Sequence, residues 1–285
     1  MARPNLMSAQ AACSHSQVAG HLLSSVDVPA RHGFGRGPSA DDSTVAGGER
    51  MMGSDNHHRK VNMDRIAWLR KMRRDCEAQY DRSAPRYDEE GGVYSNITHQ
   101  QVLKRFLGLL PQKSVILDAP CGTGRYLSFL LEQDHSVVAI DQSRGMLARA
   151  AAKFPGVHFE NIGLQEMTYR EMFDGAMCMD AMENVCPEEW PMVLSNFHRA
   201  LKGRGYFYFT AETIENSDED EIKQAFDRAQ QAGLPVVYGE WPDEEVYHYQ
   251  PSNRQVREWA RQAGFEIVSA ENGEMYYYHV VARKV

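Results

Sequence analysis

The 285-residue chain has no apolar run approaching the ~18 residues of a membrane-spanning helix, so no contact with a membrane is expected. Its five cysteines, Cys13, Cys76, Cys121, Cys178 and Cys186, are odd in number and form no Cys-x-x-Cys pair. That argues against a disulfide framework or a thiolate zinc site and predicts a reducing, cytoplasmic setting. The pair His57-His58 lacks Cys or carboxylate partners at ligand spacing, and no metal is expected. Positive charge is scarce as well. Against 39 Asp and Glu stand 31 Lys and Arg, a net charge of −8. The dense basic cluster Arg65, Arg70, Lys71, Arg73 and Arg74 suits a subunit contact or solvent better than a polynucleotide, so no nucleic acid is expected. Residues 1–60, rich in Ser, Gly, His and Pro, show no helical or alternating period and are expected to be a disordered tail. They lack an apolar signal-peptide core, and Asp27, Asp41 and Asp42 spoil a transit-peptide composition. Met51, Met52 and Met63 offer later translation starts.

What is present is concentrated between residues 115 and 141. Val115-Ile116-Leu117-Asp118 suits a buried strand, Ala119-Pro120-Cys121-Gly122-Thr123-Gly124 a tight turn, and Val137-Val138-Ala139-Ile140-Asp141 a second strand with an acidic tip. A strand, a Gly-x-Gly turn and an acid about twenty residues on form a nucleoside-binding βαβ unit. The glycines admit close backbone approach, and the carboxylate can accept both ribose hydroxyls. A dinucleotide fingerprint would need a third glycine, but the run continues Arg125-Tyr126-Leu127. A phosphate loop would need Gly-Lys-Ser/Thr, which is also missing. Asp118, directly before the turn, would repel a phosphate and attract an ammonium. A ribose, an ammonium and no phosphate describe S-adenosylmethionine (SAM).

Four segments in order then resemble the class I, Rossmann-like SAM-dependent methyltransferases, over roughly residues 75–285. They are Leu117–Gly124, Ala139-Ile140-Asp141-Gln142-Ser143, Phe173-Asp174-Gly175-Ala176-Met177-Cys178 and Phe197-His198-Arg199-Ala200-Leu201-Lys202-Gly203-Arg204-Gly205-Tyr206-Phe207. The resemblance implies a Rossmann-like, doubly wound α/β fold. Its sheet would be seven-stranded and mostly parallel, with helices on both faces and a C-terminal antiparallel hairpin. The residues agree with this. Strands are predicted at 114–118, 136–141, 157–161, 174–179 and 205–211, alternating with helices at 124–134, 143–153, 164–171 and 187–202. Ser143 suits a cap, Pro187 a first turn and Gly203 a helix end. Farther on come helices at 218–232 and 252–264, then strands at 265–270 and 275–283 joined by a short turn. Ahead of the sheet, an amphipathic helix at 63–80 carries Ile66, Leu69, Met72, Cys76 and Tyr80 on one stripe, and a second helix spans 97–110. The organisation expected is a tail (1–60), an N-terminal helical lid segment (61–111) and a SAM-binding domain (112–285) with an acceptor-binding insertion at about 212–250. The first helix either covers its own domain or crosses to a second copy, making a homo-oligomer.

The resemblance implies residue roles. Asp118 and the backbone of Ala119, Gly122 and Gly124 would hold the methionine amine and carboxylate, although the family often has glycine where Pro120 stands. Asp141 would take the ribose, while Gln142 and Met146 would flank the adenine. The family's usual adenine-binding Asp falls on Gly163, so Leu164 main chain or Gln165 would replace it. The Met179 carbonyl would sit near the sulfonium, with Tyr87 in the lid over the cofactor.

Where the family often has a His after the fourth strand, this chain has Asp180-Ala181-Met182-Glu183-Asn184. Glu183 is therefore the first candidate base, or alternatively a helix-capping carboxylate. His248, framed by Tyr247 and Tyr249, is the second, or alternatively a structural histidine. Aromatic residues crowd the parts expected to meet the acceptor, among them Tyr80, Tyr238 and Tyr247. They predict a pocket for an aromatic or apolar small molecule, and the resemblance extends to methyltransferases of natural products. O-, N- and C-methylation stay open, the last on an alkene or prenyl group of a terpenoid or alkaloid scaffold, where aromatic faces stabilise a developing cation. A non-catalytic SAM-binding protein and an NAD oxidoreductase are the rival classes.

Overall fold

Near-continuous apolar runs along the central strands, buried on both faces, settle the architecture. The computed structural model describes residues 64–91, 96–242, 246–274 and 276–285, and the expected tail and its internal methionines lie outside them. The helices are α1 (Arg65–Ser83), α2 (Tyr87–Gly91), α3 (Ile97–Leu109), α4 (Leu127–Leu131), α5 (Arg144–Lys153), α6 (Trp190–Ala200), α7 (Glu219–Gln231) and α8 (Asn253–Gln262). Strands β1 (Val115–Asp118), β2 (Ser136–Ile140), β3 (His158–Glu160), β4 (Phe173–Cys178) and β5 (Leu201–Glu212) run parallel. A separate two-stranded ribbon pairs β6 (Glu240–Pro242) with β7 (Tyr247–Tyr249). The antiparallel hairpin β8 (Phe265–Asn272) and β9 (Tyr277–Lys284) completes a seven-stranded sheet in the order 3-2-1-4-5-9-8. The fold is the doubly wound α/β sheet expected from the sequence.

Because side chains alternate across a strand, the sheet buries two apolar layers. Ile116 and Tyr208 join Val102, Phe106 and Leu127 in one, covered by α3 and α4. Leu117, Phe207 and Phe209 join Trp190, Phe197 and Val256 in the other, covered by α6 and α8. Asn96, Ser143, Asp218 and Ser252 cap their helices, each side chain accepting a backbone N–H that the first turn leaves unpaired.

Five local expectations need correction. The helix predicted at 164–171 is a single 3₁₀ turn, Leu164–Glu166, because the Asn196 amide donates to the carbonyls of Leu164 and Gln165 and takes up acceptors a longer helix would use. The helix predicted from 124 begins only at Leu127, since Gly124 sits at φ +84°, outside helical geometry. Pro191 rather than Pro187 occupies the first turn of α6, and Gly203 lies inside β5, whose first residue Leu201 already pairs with Phe173. On α1 the buried stripe centres on Trp68 and Cys76, whereas Ile66 is exposed. That helix packs on its own chain. Trp68 lies in the same core as Tyr247, and Arg65 donates to both Glu188 and Glu240.

Candidate functional site

In a doubly wound sheet, ligands bind beyond the carboxyl ends of the strands, where the strand order reverses. Here the chain turns outward from β1 to β2 and β3, then returns beside β1 as β4. At that point lies a cleft. The turn after β1 lines it through Pro120, Cys121, Gly122, Thr123, Arg125 and Tyr126. The end of β2 gives Asp141 and Gln142, the end of β3 Ile162–Gln165, and the end of β4 Met179–Ala181, Asn184 and Val185. Arg73, Cys76 and Tyr80 of α1 and Tyr87 of α2 close the opposite wall.

Gly122 holds φ +54°, and an added Cβ would meet no protein atom within 4 Å, so the turn faces open space. Asp141 Oδ2 accepts the Gly122 N–H at 2.9 Å and Oδ1 the Ser143 N–H at 2.8 Å. Each oxygen keeps acceptor capacity toward the cleft. Burial nevertheless pushes its carboxyl up to about 6, against the pull of those two N–H groups. Asp118 is fully buried and neither carboxylate oxygen has a partner. Burial, with the Asp141 charge second, pushes it up to about 8.

The N-terminal segment is tied down over this cleft. Asp81 accepts the Ser143 hydroxyl at 2.6 Å and the Gly145 N–H at 2.8 Å. Asp88 accepts the Thr123 hydroxyl at 2.6 Å and the Lys153 ammonium at 3.0 Å. Arg73 bonds to Glu166 beside Gly163. At the β4 end, Asp180 adopts φ +52° and gathers the His99 imidazole and the Tyr126 hydroxyl, each at 2.9 Å, and the Arg125 guanidinium at 3.4 Å. Burial would raise its carboxyl, but His99, Arg125 and Tyr126 together hold it below the usual carboxylate range. Arg125 also lies over the Tyr87 ring, 5.5 Å from its centroid.

The cleft brings together Gly122, Asp141, Gln142, Met146, Leu164, Gln165, Met179, Tyr80 and Tyr87 from the predicted set. Asp118, Ala119 and Gly124 do not line it. Ala119 donates to the Met177 carbonyl, and Gly124 packs on Leu127 and Phe154. Gln165 spends its amide N–H on Glu189 at 2.8 Å. Tyr247 is a correction, because it is buried with its hydroxyl donating to Glu240 and its ring edge-on to Trp68. Tyr238 is another, exposed and packed on Phe226 away from the cleft. Glu183 is buried next to the cleft-lining Ala181 and Asn184, with Oε2 unpartnered. His248 points opposite to both tyrosines, as its alternation implied, and its Nδ1 lies 3.3 Å from Glu212 Oε2 rather than at the cleft wall.

Residues that sequence reasoning passed over include Arg73, Arg125, Asp180 and Asn184. A signal for one existed, since Arg73, Cys76 and Tyr80 recur at three- and four-residue steps on one face of α1.

Residues 116–205 match the methyltransferase domain family. A malonyl-(acyl-carrier protein) O-methyltransferase of Hamiltonella defensa subsp. Acyrthosiphon pisum is 24% identical over 151 residues, covering 52% of this chain and 55% of that protein. The chain thus spans about half the length of the curated relative it matches. Among solved structures, 1,6-didemethyltoxoflavin-N1-methyltransferase of Burkholderia thailandensis, with that compound and S-adenosylhomocysteine bound, superposes with a TM-score of 0.58. It is 20% identical and covers 78% of this chain and 91% of its own. A cyclase, SpnF, superposes at 0.56 with 18% identity over 73% of this chain and 95% of its own. The fold is that of the class I, Rossmann-like SAM-dependent methyltransferases, and residues 116–205 match the methyltransferase domain within it. SAM is the cofactor of that class, and the Asp118 carboxylate at the end of β1 is buried without a partner. Among the described residues no helix is long and apolar enough to cross a membrane, and no His, Cys, Asp and Glu cluster could hold a metal ion.

Proposed function

We propose that this protein transfers a methyl group from SAM to a small-molecule acceptor. The observation that carries this is the orphaned Asp118 carboxylate beneath the Gly122 turn, at the switch point of the sheet. SAM supplies a methyl group on an already activated sulfonium, so catalysis is chiefly positioning. Asp118 pairs with the ammonium end. Asp141, held by two backbone N–H groups, presents its remaining lone pairs to the ribose. Gln142, Met146 and the Gly163–Gln165 segment surround the adenine, and Met179 stands near the reacting methyl. The lid residues Tyr80 and Tyr87 exclude water and shape the acceptor side. Glu183 receives the proton an O–H or N–H acceptor must lose. Burial, then the Glu212 and Asp180 charges, raise its carboxyl, so Glu183 must be ionised to act and then holds firmly the proton it takes.

Purified full-length protein, given methyl-labelled SAM and a small-molecule extract of its source, should label a compound of low mass. Glu183→Gln should suppress that labelling while S-adenosylhomocysteine still binds. Label found only in polymer, or none despite cofactor binding, would contradict the proposal.

Two further outcomes follow from the acids. Asp141→Ala should weaken S-adenosylhomocysteine binding by about 1.5–3 kcal/mol, the worth of hydrogen bonds to a charged group. The far-UV spectrum should stay unchanged. An unaltered Kd would remove Asp141 from the ribose site. For Asp118, an ammonium partner favours the ionised form, so a carboxyl raised to about 8 must give up its proton when cofactor binds at neutral pH. Calorimetry in two buffers of different ionisation enthalpy should report about one proton released at pH 7, with affinity rising from pH ~6 to ~8. Without cofactor the sign for stability is opposite to that of a salt-bridged acid. The native state holds a proton that the unfolded chain sheds, so the Asp118 contribution falls as pH climbs from ~4 to ~8. A proton count near zero would place the ammonium elsewhere.

A further inference from the structure

Helix α1 carries the basic cluster of the chain, and one member of it turns into the cofactor cleft. Arg65 bonds to Glu188 and Glu240, Lys71 pairs with Asp75, and Arg70 and Arg74 are exposed. Arg73 instead lines the cleft, with its guanidinium against Gly163 after β3. A Cβ placed on Gly163 would lie 2.6 Å from Arg73 Nη2 and 2.5 Å from Glu166 Oε2. The ion pair of Arg73 and Glu166 therefore fills the space in which a side chain of residue 163 would begin. Any larger residue would have to push that pair aside, so glycine is what admits it.

Two of the three guanidinium nitrogens are held. Nη2 donates to Glu166, and Nε lies 3.5 Å from Gln142 Oε1. Among the described residues Nη1 has no partner. Gln142 lines the cleft as well, and its main chain is fixed by the Asn161 amide, which donates to the Gln142 carbonyl at 2.7 Å. A guanidinium only donates and keeps its charge at any working pH. Held at two nitrogens, its planar fork loses little freedom when the third meets a ligand.

Adenine presents an amino group that donates, flanked by ring nitrogens that accept. Such an edge is matched by a carbonyl oxygen beside an N–H, which is what Gln142 Oε1 and Arg73 offer side by side. We propose that Arg73 is a cofactor-binding residue that reads the adenine. Its guanidinium, set by Glu166 and Gln142, donates to a ring nitrogen beside the 6-amino group, and Gln142 Oε1 accepts an amino hydrogen. This rests on the methyltransferase reading above, which places adenine between Gln142 and the Gly163–Gln165 segment. Because Arg73 stands on α1, the N-terminal helix completes the nucleoside site as well as covering it.

The test titrates the full chain with S-adenosylhomocysteine and with its 1-deaza and 7-deaza analogues, each of which replaces one flanking nitrogen by C–H. The unaltered chain should bind S-adenosylhomocysteine tenfold or more tightly than at least one analogue, the scale of one hydrogen bond from a charged donor. Arg73→Met keeps an unbranched stem and removes every donor. It should weaken S-adenosylhomocysteine tenfold or more, leave that analogue within twofold, and so erase the preference. Mere loosening of α1 would weaken all three ligands alike. Gly163→Asp gives a second reading with opposite signs. In the unaltered chain it should displace the Arg73–Glu166 pair and weaken S-adenosylhomocysteine binding. In an Arg73→Ala background the new carboxylate has room, can accept an amino hydrogen, and should strengthen binding. The proposal is overturned if the unaltered chain prefers S-adenosylhomocysteine to neither analogue, if Arg73→Met weakens all three alike or none, or if Gly163→Asp weakens binding equally in both backgrounds. Failure of S-adenosylhomocysteine to bind the unaltered chain would instead strike the methyltransferase reading itself.

Discussion

Gly122→Val is expected to abolish S-adenosylhomocysteine binding in a protein that still melts cooperatively. Gly122 occupies the left-handed region at φ +54°, which a β-branched side chain enters only with strain of about 1–3 kcal/mol. A side chain added there meets no protein atom within 4 Å, so no clash adds to the strain and the fold can absorb it. The same open space is where the cofactor must approach the backbone, and an isopropyl group would fill it. The Gly122 N–H also donates to Asp141, so a shifted turn would misplace the ribose acceptor. Calorimetry should show no heat of binding, and a thermal melt should show one transition. A folded variant that binds normally would mean that the turn does not cradle the cofactor.

Trp68→Ala is expected to cost about 3–5 kcal/mol, the range for removing a fully buried aromatic side chain. Trp68 is 1% exposed, packs edge-on to Tyr247 at 5.9 Å, and carries the Arg65 guanidinium over its ring. Its loss would open a cavity between α1 and the ribbon of β6 and β7. The wall that Arg73, Cys76 and Tyr80 give to the cleft would loosen with it. The denaturant midpoint should fall steeply, with no change of mass by light scattering. A change below about 1 kcal/mol would show that α1 leaves this core in solution, and a simultaneous fall to half the mass would show it covering a second copy.

The parts of this account that were readable from the sequence share one property: the local pattern and the tertiary environment demand the same residues. Val115-Ile116-Leu117 is apolar because β1 is central and covered on both faces, and the glycine turn and the Asp141 tip suit the close approach of a ligand. The C-terminal hairpin was legible as two consecutive strands joined by the short Glu271-Asn272-Gly273 turn. The failures lie where distant side chains override local preference. Nothing near Leu164 announces that Asn196, 32 residues on, will cap its carbonyl and stop a helix. Nothing near Tyr247 announces that Glu240 and Trp68 will enclose it, so an aromatic run suited to an acceptor pocket turned out to be core. Glu183 could be found by its position after β4, but its burial with Oε2 unpartnered is set only by the folded chain.

The most direct test of the central claim is a calorimetric titration of the unaltered chain with S-adenosylhomocysteine and, separately, with NAD. An acidic strand tip, an open Gly-x-Gly turn and a buried carboxylate without a partner predict one saturable site for S-adenosylhomocysteine and no heat with NAD. Saturable binding of NAD, or no binding of S-adenosylhomocysteine by folded protein, would contradict it.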